Sequence, residues 1–181
     1  MDIKLTNRGF TLIELLTVIM IIGILSSLAM FAFSTAREKA KEAAVLHDLD
    51  VIGSAMRTLV HDTALWPGGQ AAETVCALAC GLNELCAGAT CAMSLASSSA
   101  GITGTDGSYP NWDGPYMNRI PLDPWGREYF FDTDYSVDIN REPCGCGGGG
   151  CYNVAAVGSY GPESAGNGAY DCEEIIRILS R

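Results

Sequence analysis

The stretch GFTLIELLTVIMIIGILSSLAMFAF, residues Gly9 to Phe33, decides how the rest of the chain is read. From Phe10 to Phe33 it is apolar with a single charged residue, Glu14. A helix needs about 20 apolar residues to cross a bilayer, so this run is long enough. A carboxylate at mid-membrane costs roughly 2.5–3.5 kcal/mol and less near an end. Glu14 stands near the start of the run, and its presence calls for a partner. A short polar leader, MDIKLTNRG, precedes the run. No small-residue signal-peptidase site follows it, so the apolar segment is expected to be retained. Gly23, Ser26 and Ser27 are small enough to allow close approach of another helix.

Beyond Phe33 the helical pattern continues and turns amphipathic. Val45, Leu49, Ile52, Met56 and Val60 recur at helical spacing, with Asp48, Asp50, Arg57 and Asp62 elsewhere on the wheel. Nothing interrupts until Trp66-Pro67-Gly68-Gly69. The pattern predicts one helix from about Thr11 to about Thr63, roughly 80 Å long at 1.5 Å per residue. Its first half would lie in a membrane, and its second half would bury the stripe against a small head. His47 and His61 are the only histidines and read as surface residues.

The formal net charge is −10, and without the leader (Asp2, Lys4, Arg8) it becomes −11. Nucleic-acid binding requires cationic neutralisation of phosphates, so an acidic chain argues against that class. Lys4 and Arg8 hold the amino terminus in the cytoplasm by the positive-inside tendency, which exports the rest. All eight cysteines, Cys76, Cys80, Cys86, Cys91, Cys144, Cys146, Cys151 and Cys172, lie on the exported side of the span. An oxidising compartment favours disulfides, but eight cysteines leave the pairing open.

The head reads as follows. Ala71 to Leu85 has the pattern of a short helix. Met93 to Ser108 is rich in Ser, Gly and Ala and reads as an exposed loop. Asp123-Pro124-Trp125-Gly126 has the residues of a type I turn. Tyr129 to Thr133 and Tyr135 to Ile139 suit a hairpin across Asp132-Thr133-Asp134, with Asp132, Asp134 and Asp138 solvated. Tyr152 to Val157 reads as a buried strand, Gly158 to Gly168 as a loop and Glu173 to Leu179 as a last strand. Three or four short antiparallel strands on the helix stripe make an α+β head.

Gly9-Phe10-Thr11-Leu12-Ile13-Glu14 resembles the processing and assembly motif of type IV pilins and type II secretion pseudopilins. The block from Trp112 to Tyr129, with Gly114-Pro115-Tyr116 and the Asp-Pro-Trp-Gly turn, resembles the major pseudopilin of type II secretion. The resemblance implies the pilin fold, a long amino-terminal helix on a small antiparallel sheet, here expected to be stapled by disulfides. It implies cleavage by prepilin peptidase between Gly9 and Phe10, methylation of the new amine, and Glu14 as the assembly carboxylate. It also implies a single-pass inner-membrane subunit with a periplasmic head. Self-association into a helical filament is expected, alongside an assembly platform and minor pseudopilins. The parts are then leader 1–9, membrane and filament-core helix 10–33, amphipathic helix half 34–65, variable cysteine-bearing region 66–118 and sheet head 119–181. The family often carries a proline in the helix; none occurs here between Phe10 and Trp66.

Related pseudopilins bind calcium before the last strand, which makes Ser159, Asn167, Asp171 and Glu173 the candidate ligands here. Tyr160 and Cys172 depart from that pattern, and a disulfide is the alternative clamp. Zinc at Cys144, Cys146 and Cys151, or at Cys76, Cys80, Cys86 and Cys91, is weighed against disulfides. Structural zinc prefers C-x2–4-C spacing, which Cys144-Gly145-Cys146 lacks. The glycine run 147–150 has no Lys-Ser or Lys-Thr after it and is no phosphate loop. No catalytic constellation is found, so the expected role is structural rather than enzymatic. The alternatives are a surface pilus subunit and a membrane-anchored cysteine-rich metal or redox module.

Overall fold

A computed structural model describes residues 10–72, 94–138, 151–162 and 174–180. The element order is α1 (Leu12–Thr63), a short 3-10 turn η1 (Ser98–Ala100), β1 (Phe130–Val137), β2 (Tyr152–Ser159) and β3 (Ile175–Ser180). The chain divides into two compact units, Met1–Ala40 and Lys41–Arg181.

In the first unit α1 is apolar and almost entirely exposed, from Leu12, Ile13 and Leu15 to Met30 and Phe33. It is long and apolar enough to cross a membrane, with a mean hydropathy of 2.5 over its best window. Water would penalise such a surface, so its complement is lipid tails or other apolar helices.

In the second unit the predicted stripe is core. Val45, Leu49, Ile52 and Met56 are fully buried, joined by Ala55 and Leu59, while Val60 packs partly buried at the margin. α1 ends with Ala64 in the left-handed region (φ 59°). The Thr63 hydroxyl donates to Leu59 O at 2.7 Å and accepts from Leu65 N at 3.1 Å, which serves carbonyl and amide groups orphaned at the helix end. Trp66 N then donates to Gln70 O, and Leu65 bridges Ala71. Ala71 and Ala72 therefore close a tight turn rather than open the predicted 71–85 helix. The rest of that segment lies outside the described residues.

The three strands form one antiparallel sheet in the order β1-β2-β3. The expected hairpin within 129–139 is not formed: Phe130–Val137 is one strand, and its partner is β2. The Asp132-Thr133-Asp134 segment is a bulge instead of a turn. Between Asp132↔Ala156 and Tyr135↔Val154, β1 advances three residues against two on β2. The extra residue inverts the in-out alternation. Tyr135 and Val137 thereby join Phe130, Val154 and Ala156 in a second apolar cluster, while Phe131 and Val157 pack with the helix. Asp132 is buried, not solvated, and its carboxylate accepts Asp134 N at 2.8 Å, closing the bulge. β2 also runs on through Gly158 and Ser159, two residues expected in the loop. The last strand begins at Ile175 rather than Glu173.

Residues 94–108 correct a second expectation. Leu95, Ala100 and Ile102 are buried in the main core, so the segment is not simply an exposed loop. Its small residues permit close packing. Gly101 has φ 79°, and a Cβ there would lie 2.7 Å from the Tyr109 ring. Tyr109 OH accepts Gly68 N and donates to Ser99 O, stitching this segment to the turn after the helix. Gly101→Ala is expected to cost about 2–4 kcal/mol, combining overpacking with left-handed backbone strain. Thermal unfolding of the full-length chain in detergent checks this; an unchanged midpoint contradicts the packing described.

Tyr129 is fully buried, and its OH donates to Asp48 Oδ2 at 2.8 Å, tying the start of the sheet to the helix. Burial, followed by the Asp48 bond and the charges of Asp48 and Asp123, raises its pKa far above the ordinary value. The unfolded chain releases that proton near pH 10, the folded chain only at higher pH. This contribution is complete below about pH 10 and declines as pH rises toward the folded value. Tyr129→Phe should therefore flatten part of the loss of stability above pH 10, read as unfolding midpoint against pH; an identical alkaline slope would count against it.

Candidate assembly site and the base of the head loop

The amino end of α1 carries a reciprocal cap. Thr11 precedes the helix, and its hydroxyl accepts Glu14 N at 3.3 Å. Glu14 Oε2 in turn accepts Thr11 N at 2.9 Å and Thr11 Oγ1 at 2.8 Å. This is a capping box, and the Thr-x-x-Glu spacing in the sequence already carries its signal. The carboxylate also sits at the positive end of the helix dipole. Both Thr11 contacts fall on Oε2, and Oε1 takes no hydrogen bond among the described residues. Phe10 is 84% exposed, so the residue beside the expected cut is accessible. Gly9 lies outside the described residues. Chemically, the arrangement pre-orients a carboxylate at a helix tip, where a cationic donor could approach.

A second polar cluster sits in the head, and sequence reasoning recovered only its turn. Asp123-Pro124-Trp125-Gly126 closes as predicted, with Gly126 N donating to Asp123 O at 2.8 Å. The Asp123 side chain, 4% exposed, does more than start that turn. Oδ1 accepts Trp125 N at 3.0 Å and Arg127 N at 2.8 Å. Oδ2 accepts the Ser159 hydroxyl at 2.7 Å and lies 3.7 Å from Arg127 Nε. Ser159 Oγ also accepts Gly161 N at 3.2 Å. The cluster joins the lead-in to β1 with the end of β2. Nothing local in the sequence pairs Asp123 with Ser159, since 36 residues separate them. Trp125 is flanked by two cations, Lys41 Nζ at 5.6 Å and Arg127 Cζ at 5.9 Å from its ring.

This geometry bears on the calcium ligands. Calcium takes six to eight oxygens. Of the four candidates only Ser159 is described, and its buried hydroxyl is engaged with Asp123 and Gly161. Asn167, Asp171 and Glu173 lie outside the described residues. Among the described residues there is no group of three His, Cys, Asp or Glu side chains placed to hold a metal. Cys151, exposed just before β2, is disulfide-bonded. Cys76, Cys80, Cys86, Cys91, Cys144, Cys146 and Cys172 lie outside the described residues. His47 and His61 are exposed, as expected.

A capped, exposed apolar helix that continues into the core of a three-stranded α+β head is consistent with the pilin fold. Residues 4–30 match the family model of the prokaryotic N-terminal methylation motif, and residues 99–141 match that of type II secretion system protein G. The chain is 30% identical over 123 residues to the type II secretion system core protein G of Klebsiella pneumoniae, covering 68% of this chain and 72% of that one. It is 30% identical over 123 residues to that of Escherichia coli, covering 68% and 70%. To that of Pseudomonas aeruginosa it is 27% identical over 159 residues, covering 85% and 95%. No solved structure matches. The chain belongs to the protein G family of type II secretion systems, the major pseudopilins.

The Asp123 cluster yields a stability prediction. Asp123→Ala removes the acceptor of two amides and one hydroxyl and leaves the half-buried Arg127 without this acid. The expected loss is about 2–4 kcal/mol, against about 1 kcal/mol for Ser159→Ala. Thermal unfolding of both full-length variants tests the ranking, and equal losses would reject it.

Proposed function

We propose that this chain works as the stacking unit of a type II secretion pseudopilus, and that Glu14 sets the register of the stack. The observation that carries the reading is the Thr11–Glu14 cap at the tip of an exposed apolar helix. In a lone subunit the cap keeps the carboxylate bonded. Cleavage between Gly9 and Phe10 by prepilin peptidase creates a terminal amine on the residue before Thr11. In a stack, the amine of a neighbouring copy reaches Glu14 and makes a charge-assisted bond in low dielectric, where an unpaired carboxylate would be penalised. A head-to-tail contact that does not close on itself generates a fibre.

The proposed parts are leader 1–9, core helix 10–33, amphipathic half 34–65, variable region 66–118 and sheet head 119–181. The mature subunit crosses the inner membrane once, with its amino end cytoplasmic and its head periplasmic. Its partners are further copies of itself, the prepilin peptidase, the inner-membrane assembly platform and minor pseudopilins. Disulfides among the eight cysteines staple the regions with little core of their own, which suits an oxidising compartment. With the Ser159 hydroxyl held by Asp123, a calcium ion in the 159–173 loop would draw on Asn167, Asp171, Glu173 and main-chain carbonyls.

Mass spectrometry of the protein from its native membrane is expected to find a chain that starts at a methylated Phe10. Glu14→Val should leave cleavage and protein level unchanged and abolish filaments seen by electron microscopy. A chain still beginning at Met1, or normal filaments from Glu14→Val, defeats the proposal.

A further inference from the structure

We propose that the cleft beside Glu42 and Leu46 receives the Arg37 side chain of a second copy of this chain, stacked in the same direction. The inference rests on the stacking reading above and adds a contact that joins the copies beyond the apolar run. Among the described residues, Glu42, Leu46, Pro162 and Ile175 line this open cleft of about 400 Å³, all of them in the second unit. Leu46, Pro162 and Ile175 make its walls apolar, and Glu42 is the one charged residue among them. Leu46 is still 45% exposed. Glu42 and Arg37 are exposed, and neither has an ion pair among the described residues.

The chemistry of the cleft selects a long cation. An arginine lays its apolar stem on apolar walls while its planar head meets a carboxylate with paired donors. The helical period then selects which one. Arg37 and Leu46 are both in α1, about two and a half turns apart, so they occupy opposite sides of it. Arg37 therefore does not fill its own cleft. A cleft on one side and its filler on the other make a heterologous contact, which repeats from copy to copy without closing. Lys39 and Arg57 lie about two and about three turns from Leu46, on the side of the cleft. A contact through them would use one side twice, and such a pair closes. Lys41 and Arg127 lie on Trp125, and Arg177 is bonded to Asp50. The axial offset agrees as well. Arg37 precedes Glu42 by about 7.5 Å of rise, and the proposed Glu14 contact, residue 10 of one copy against Glu14 of the next, needs about 6 Å. One offset serves both to within a residue.

The test uses the full-length chain in its native membrane with its own secretion apparatus. Sheared filaments are quantified for Glu42→Arg, for Arg37→Glu and for the double swap. Each single swap should lower filament yield about two- to fivefold, the range of one exposed ion pair, and the double swap should restore it. Benzoylphenylalanine in place of Leu46 should cross-link on illumination to the helix around Arg37 of another copy. Both swapped side chains are exposed, so subunit level and thermal midpoint should stay at wild-type values. Single swaps without effect, a double swap that does not rescue, or a midpoint that falls with the filament yield overturn the contact. A cross-link to the segment of the exposed Arg119, or to a different protein, also overturns it. Glu14→Val separates the two readings. Normal filaments from that variant defeat the stacking reading itself, whereas their loss there, with no response to the swaps, defeats this contact alone.

Discussion

The structure depends on one helix meeting two different apolar surroundings. Up to Phe33, α1 is greasy on all sides, and among the described residues no core covers it. From Val45 onward the same helix shows one buried stripe to a sheet and charged residues elsewhere. A helix satisfies its own backbone hydrogen bonds, so it can pass between these surroundings without a break. The sheet has no such freedom, since its strands hydrogen-bond to one another and must stay with the stripe. The contacts that lock it in place are Tyr129 on Asp48 and the Trp66–Phe131 ring contact at 5.6 Å, with Tyr129 just before β1 and Trp66 just after α1.

What the sequence revealed follows the range of the interactions concerned. The helix, its stripe and the Asp-Pro-Trp-Gly turn are written in periodicity and short-range residue preferences, and the structure keeps all three. The Glu14 cap is equally local, a contact across three positions. The bulge in β1 was hidden because Asp-Thr-Asp between two apolar runs has the composition of a turn. Only the pairing with β2 distinguishes a strand with an extra residue from a hairpin. Residues 94–102 looked like loop because their apolar members are few, yet Leu95, Ala100 and Ile102 reach the core. The Asp123–Ser159 bond is invisible to any window, because the fold alone brings the two residues together.

That bond also changes how the region after β2 is understood. A short polar loop is usually fixed by whatever its side chains can find, whether an ion, a disulfide or the body of the protein. Here its entry is held by a buried carboxylate that belongs to a different turn and that also accepts two backbone amides. The Arg127 side chain lies against both Asp123 and Trp125, so charge and aromatic packing meet at one corner.

The bulge in β1 has a further consequence at the rim of the sheet. Among the described residues, the order β1-β2-β3 makes the two outer strands margins that could recruit a strand from another chain. A straight margin would offer polymer growth a second, unwanted route through shared ladders. The extra residue in β1 and the irregularity opposite Ala155 in β3 each break the even spacing that such a ladder requires. Among the described residues, both rims are thus roughened against templated joining.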